Sequence, residues 1–189
     1  MSNVYESYAI YSESTDHKLI PKLDTEEMKP DMPNRIFNKV NVEVGDAIRV
    51  SEGYNCERIK LATGVYLING ISFVTMLSSG TPPVPPVPVE FLDNVYPGYC
   101  ILYDAANPPT KEDMSKALCV GTMGTAYDSG PSIFEHVLKV EGAFMEISLG
   151  HQCDYIKPED PDRPLVYIRM GGTDYHIGAR ISIFKIADI

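Results

Sequence analysis

The residues best equipped for chemistry stand together at one place, His151-Gln152-Cys153-Asp154. Imidazole, thiolate and carboxylate all ligate zinc, but a zinc site needs three or four such groups. No second pair at ligand spacing accompanies this one, and His136 and His176 reach it only through the fold. A loop following a strand is the simpler reading. Cys119 and His136 are a second nucleophile-and-base combination, with no third group in view to orient the imidazole. Glu159, Asp160 and Asp162 are hard oxygen donors of the kind calcium takes, but the prolines among them suit a solvated acidic loop over 157–164. Gly121-x-x-Gly124 lacks the Lys-Ser or Lys-Thr of a phosphate loop. Tyr54, Tyr96, Tyr99, Tyr103, Tyr127, Tyr155, Tyr167 and Tyr175 offer rings for sugar stacking, although sheet and interface roles explain most of them. The expectation is therefore no catalytic, metal or cofactor-binding residue, no cofactor, and no enzyme.

Composition narrows the classes further. A chain of 189 residues suits one domain with a sizeable core. A formal charge of −10 without a basic cluster opposes nucleic-acid binding, which works by Lys and Arg displacing counterions. No apolar run reaches the roughly 18 residues of a membrane span. The N-terminus is polar and acidic, unlike a signal peptide, so export by that route is not expected. Cys56, Cys100, Cys119 and Cys153 contain no C-x-x-C pair. Four cysteines permit three disulfide pairings; reduced buried thiols are the reading adopted.

The elements that would position any site are strands. Residues 64–77 carry the densest β signal, with Val65, Leu67, Asn69, Ile71 and Phe73 on one face and Tyr66, Ile68, Gly70, Ser72 and Val74 on the other. Both faces are mostly apolar, so this strand is expected to lie inside the protein or between its core and a partner subunit. Alternation also marks 40–44, 48–50 and 59–61; further strands are expected at 99–103, 133–140, 143–149, 165–170 and 179–186. Glu141-Gly142 reads as a turn joining two of them. Residues 78–89 hold five prolines and read as an extended connection. Thr110 with Asp113 approximates a capping box, giving one short helix over 110–118. The class is all-β, an antiparallel sandwich or barrel.

Residues 1–35 differ from the rest. Short apolar islands alternate with polar sequence, and Pro21, Pro30 and Pro33 break long elements. Tyr5, Tyr8 and Tyr11 suggest an extended arm that packs on the domain or on a neighbouring subunit, leaving 36–189 as the domain proper.

Three features together resemble the jelly roll of tumour necrosis factor and the complement globular head, a kind also found in bacteriophage virion accessory proteins. Gly64-Val-Tyr66, continued by Leu67, Ile68, Ile71 and Phe73, is similar to that family's central strand. Strands 133–140 and 143–149 with Gly142 between them, and the terminal Ile181-Ser-Ile-Phe-Lys-Ile186, are similar too. The segments at 80–89 and 110–118 depart from the family's short connections. The resemblance implies a jelly-roll sandwich carrying the arm and the short helical insertion, and it implies a homotrimer. Tyr66, Ile68, Ile71, Phe73, Val74, Ile183 and Phe184 would then form the oligomer interface or core, and Tyr5, Tyr8 and Tyr11 the arm contacts. The function expected on this basis is a non-enzymatic structural or adhesive protein, a virion accessory protein acting in capsid decoration or as a fibre head. It would assemble in the host cytoplasm and meet other virion proteins through its arm. The alternatives are a carbohydrate- or ligand-binding module whose partner is a glycan, and a cupin-like metalloenzyme, which this sequence disfavours by lacking any His-x-His.

Overall fold

The computed structural model describes residues 6–14, 34–51, 56–78, 95–110, 113–124, 130–155, 166–170 and 177–189. The expected proline-rich connection, beyond Ser78, and the expected acidic loop at 157–164 fall outside these residues. Ten strands follow in order: β1 Tyr8–Ser14, β2 Lys39–Val44, β3 Ile48–Val50, β4 Ile59–Ser72, β5 Val74–Ser78, β6 Val95–Asp104, β7 Ala117–Val120, β8 Ser132–Tyr155, β9 Val166–Met170 and β10 Ile177–Ala187. Eight pair in the order β2-β1-β10-β4-β8-β6-β7, with β3 also on β4; β5 and β9 form a separate ribbon. Every pairing is antiparallel.

This one sheet makes two layers because β8 doubles back. Straight, its 24 residues would run about 80 Å. Yet the Cys100 N–H donates to Ser132 Oγ at 2.9 Å, and Cys100 is the register partner of His151. The two ends of the strand therefore lie close together. The bend is at Glu141–Ala143: Ala62 of β4 pairs with Phe144, but Gly64 pairs with Val140, so β8 carries two extra residues there. Gly142 thus forms a bulge at a corner, not the hairpin turn the sequence suggested, because β4 follows the same corner and keeps the ladder intact. Gly64 takes up the bend on β4 with φ at 150°.

One layer holds β2, β1, β10, the 64–72 part of β4 and the 132–140 part of β8. The other holds β3, β4 from Ile59 to Ala62, β8 from Phe144 onward, β6 and β7. Between them lie Ala9, Tyr11, Ile48, Ile59, Leu61, Tyr66, Ile68, Leu102, Phe134, Leu138, Val140, Ile147, Leu149, Ile181 and Ile183. Gly70 is required by close packing, since a Cβ there would meet the Phe134 ring at 2.1 Å. The result is an antiparallel jelly-roll sandwich.

Three sequence expectations change in detail. The 64–77 strand starts earlier, at Ile59, and breaks at Phe73, whose N–H bonds to the Gly178 carbonyl. The helix at 110–118 is only a 3₁₀ turn, Met114–Lys116. Half of the expected capping box forms, with Asp113 N–H donating to Thr110 Oγ1, but Thr110 N–H donates to the Asp113 backbone carbonyl, and Asp113 itself caps the turn by accepting from Ser115 N–H. It buries no side chain, however, and Leu118 and Cys119 instead pack on the core from β7. Finally, Tyr8–Ser14 of the N-terminal arm is an interior strand paired with β10 on one side and β2 on the other.

Two core tyrosines should make the fold alkali-sensitive. Burial, with a smaller contribution from Asp188, pushes Tyr66 up to about 12. Burial and its hydrogen bond to Glu43 push Tyr11 up as well. A phenol held above its unfolded value of about 10 contributes stability that is complete below that pH and is lost as pH rises through the folded value. The urea midpoint should therefore fall between about pH 10 and pH 12. Tyr66→Phe should flatten part of the decline; an unchanged slope would show that Tyr66 plays no part.

Candidate functional site: an outward apolar sheet face

Side chains of β4 alternate strictly. Tyr66, Ile68, Gly70 and Ser72 are buried inward; Val65, Leu67, Asn69 and Ile71 are half-buried and face outward. Register extends this outward face across five strands. Val44, Tyr8, Phe184, Leu67 and Val137 form one continuous cross-strand row through β2, β1, β10, β4 and β8. All five are apolar or aromatic and none is fully buried; Val137 is 57% exposed. The Tyr8 and Phe184 rings stack with centroids 6.2 Å apart. The adjacent row is Val42, Ile10, Ser182, Asn69 and Glu135, and the next contains Arg180, Ile71 and Ile133. An antiparallel sheet with one face in water normally alternates apolar inside and polar outside. This face breaks that rule along the whole of the first row and at Val42, Ile10, Ile71 and Ile133 of the two beside it.

The residues expected at an interface or in the core divide between the two faces. Tyr66, Ile68 and Ile183 lie fully buried between the layers. Ile71 and Phe184 face outward, half-buried, and Phe73 is half-buried at the end of β4. Val74 opens β5 opposite Met170. Of the arm tyrosines, Tyr8 lies on the outward face and Tyr11 is buried, donating to Glu43 Oε2 at 2.5 Å. Tyr5 is outside the described residues. The sequence reading missed Val44 and Val137, although the Val40-x-Val42-x-Val44 alternation was the available signal.

The sequence reading also missed a buried polar network at the end of the sandwich opposite the corner. Arg35 is fully buried. Its backbone N–H bonds to Leu149 O, which fixes it to the second layer. Its guanidinium reaches the first layer, with Nε donating to Ser72 Oγ at 2.8 Å, Nη1 to Glu13 Oε2 at 3.0 Å, and Nη2 to the Phe73 carbonyl. Ser72 Oγ in turn lies 2.7 Å from His151 Nδ1. Ser132 adds a second cross-layer link, accepting from Cys100 N–H and donating to the Thr122 carbonyl.

His151 is thus placed in this buried network. Cys153 and Asp154 continue β8, and Glu159, Asp160, Asp162 and His176 lie outside the described residues. Cys119 Sγ approaches two backbone oxygens, the Val120 carbonyl and that of Glu135, the residue preceding His136. Burial pushes the Cys56, Cys100 and Cys119 thiols up, away from the reactive thiolate. Those three cysteines are unpaired. Among the described residues no three of His, Cys, Asp and Glu gather as metal ligands. Tyr66 and Tyr103 are buried, with hydroxyls donating to Ala62 O and Asn34 Oδ1.

Breaking a buried ion pair on one side leaves the other charge uncompensated. Arg35→Met should therefore cost about 3–5 kcal/mol in chemical unfolding. Arg35→Lys should recover only part, because an ammonium cannot reach three acceptors on fixed directions. A loss under about 1 kcal/mol for Arg35→Met would mean the network contributes little.

No family model and no curated protein sequence matches this chain. Solved structures do. Murine APRIL, of the tumour necrosis factor family, is 10% identical at a TM-score of 0.50, covering 95% of this chain and 98% of its own. A second murine APRIL structure aligns at 0.44 with 9% identity, again over 95% and 98%. PRD1 vertex protein P5 aligns at 0.42 with 11% identity, over 96% of this chain and 98% of that one. What the chain shares with APRIL is the fold, a jelly roll of the tumour necrosis factor type.

Proposed function

We propose that this chain is a non-enzymatic structural protein that assembles as a homotrimer and serves in a virion, as a capsid-decoration or fibre-head protein. One observation carries the assembly: the Val44-Tyr8-Phe184-Leu67-Val137 row on the outward face. Such a row loses contact with water when a second copy covers it, at roughly 25 cal/mol per Å² of apolar area. Contiguous exposed apolar patches mark interaction sites. The number three and the virion setting follow the resemblance to trimeric jelly rolls.

Sedimentation equilibrium tests the assembly directly, with a mass of three chains expected and a persistent monomer overturning it. Val137→Glu separates assembly from folding. At a position this exposed, the substitution should change stability by no more than about 0.5 kcal/mol. In the middle of an apolar contact it should cost about 2 kcal/mol or more per interface and shift the trimer to monomer. A Val137→Glu chain that remains trimeric would show that copies meet elsewhere. Mass spectrometry of particles purified from the producing host should find the chain at stoichiometric level if it is a virion component.

A further inference from the structure

The apolar row has charged flanks. Lys39 of β2 and Arg180 of β10 fall in one cross-strand row, on either side of Ser12 of β1. Glu135 lies on β8, across β4 from Arg180, opposite Asn69. All three are exposed. Among the described residues, ion pairs join Arg35–Glu13, Arg49–Glu43, Arg58–Glu146, Lys139–Glu141 and Lys185–Asp188. None of them uses Lys39, Arg180 or Glu135. Arg180 is aligned with Ile71, and Glu135 with Asn69. Their Cα atoms are therefore two strands and two residues apart, about 12 Å, with β4 between them. Each charge points out from the sheet without meeting the other.

A ring of identical subunits joins one flank of each copy to the opposite flank of the next. Here the β2-β1-β10 flank carries Lys39 and Arg180, and the β8 flank carries Glu135, whose carboxylate has no ion-pair partner among the described residues. We propose that Arg180 of one subunit pairs with Glu135 of its neighbour, and that this pair sets the register in which the apolar rows meet. The proposal rests on the self-assembly reading above and adds the partner surface and its orientation. The apolar row beside the pair excludes water from one side, which strengthens the attraction relative to a free surface pair. Glu135 set against Glu135, or Arg180 against Arg180, would repel, so the pair also disfavours copies that meet flank to like flank.

Charge exchange tests this. Arg180→Glu and Glu135→Arg are made singly and together, and assembly is followed by sedimentation at low salt while thermal melts confirm folding. Each single variant should raise the concentration of half-assembly by about tenfold or more, and the double variant should return it close to the native value. Should either reversal impair folding, Arg180→Gln and Glu135→Gln replace it, each expected to weaken assembly without repulsion. A native trimer whose single variants assemble normally, or whose double variant stays as weak as the singles, overturns the pair and leaves the trimer standing. A monomeric native chain overturns both.

Discussion

Continuous pairing of β4 with β8 through a corner is the constraint from which the rest follows. The ladder runs from Ile59 opposite Ile147 to Ser72 opposite Ser132 and yields only where Gly64 faces the Gly142 bulge. Because both strands turn together, one sheet supplies both walls of the core. β10 and β1 extend the first wall from the free edge of β4, and β6 extends the second from β8. Any side chain on β4 therefore has its face decided by parity. Even positions from Tyr66 to Ser72 see the core, and odd positions see whatever lies outside.

A sandwich closed at one corner is open at the opposite end, where the last inward positions have no facing apolar partners. Ser72, Glu13 and His151 occupy those positions, and Arg35 is inserted among them. A fully buried guanidinium is costly unless its donors are used, and here three acceptors lie on it. Two come from the first layer's side chains and one from its backbone, while Arg35 itself is tethered to Leu149 of the second. The stretch from β1 to Arg35 thus begins and ends in the same network. This is why Tyr8–Ser14 behaves as an integral strand and not as an appendage.

The β content was legible in the sequence, because period-two alternation in 40–44, 64–72 and 179–186 is a local property. Both faces of β4 were read correctly as apolar for the same reason. Three things were not local. The role of Glu141-Gly142 depended on whether β4 bent with it, since the same dipeptide suits a turn or a bulge. The strand identity of Ala117–Val120 depended on pairing with β6, which outweighed a valid capping signal at Thr110 and Asp113. Arg35 gave no signal at all: a single arginine between prolines and strands reads as solvent-exposed until partners distant in sequence, Glu13, Ser72 and Phe73 among them, are in place.

The charge distribution bears on how such a chain could meet itself. A formal charge of −10 opposes close approach of identical copies at any surface that shares it. The outward face of the first layer does not share it. Lys39, Arg180 and Lys139 there offset Glu6, Glu135 and Glu141, and Lys139 is already paired with Glu141. The acidic excess therefore lies elsewhere on the chain. A face that is both apolar along one row and relieved of the chain's negative charge is where association costs least. In the proposed assembly Asn69 and Ser182 would limit how copies slide, because a shift of two residues along the strands would set apolar side chains against these amide and hydroxyl groups.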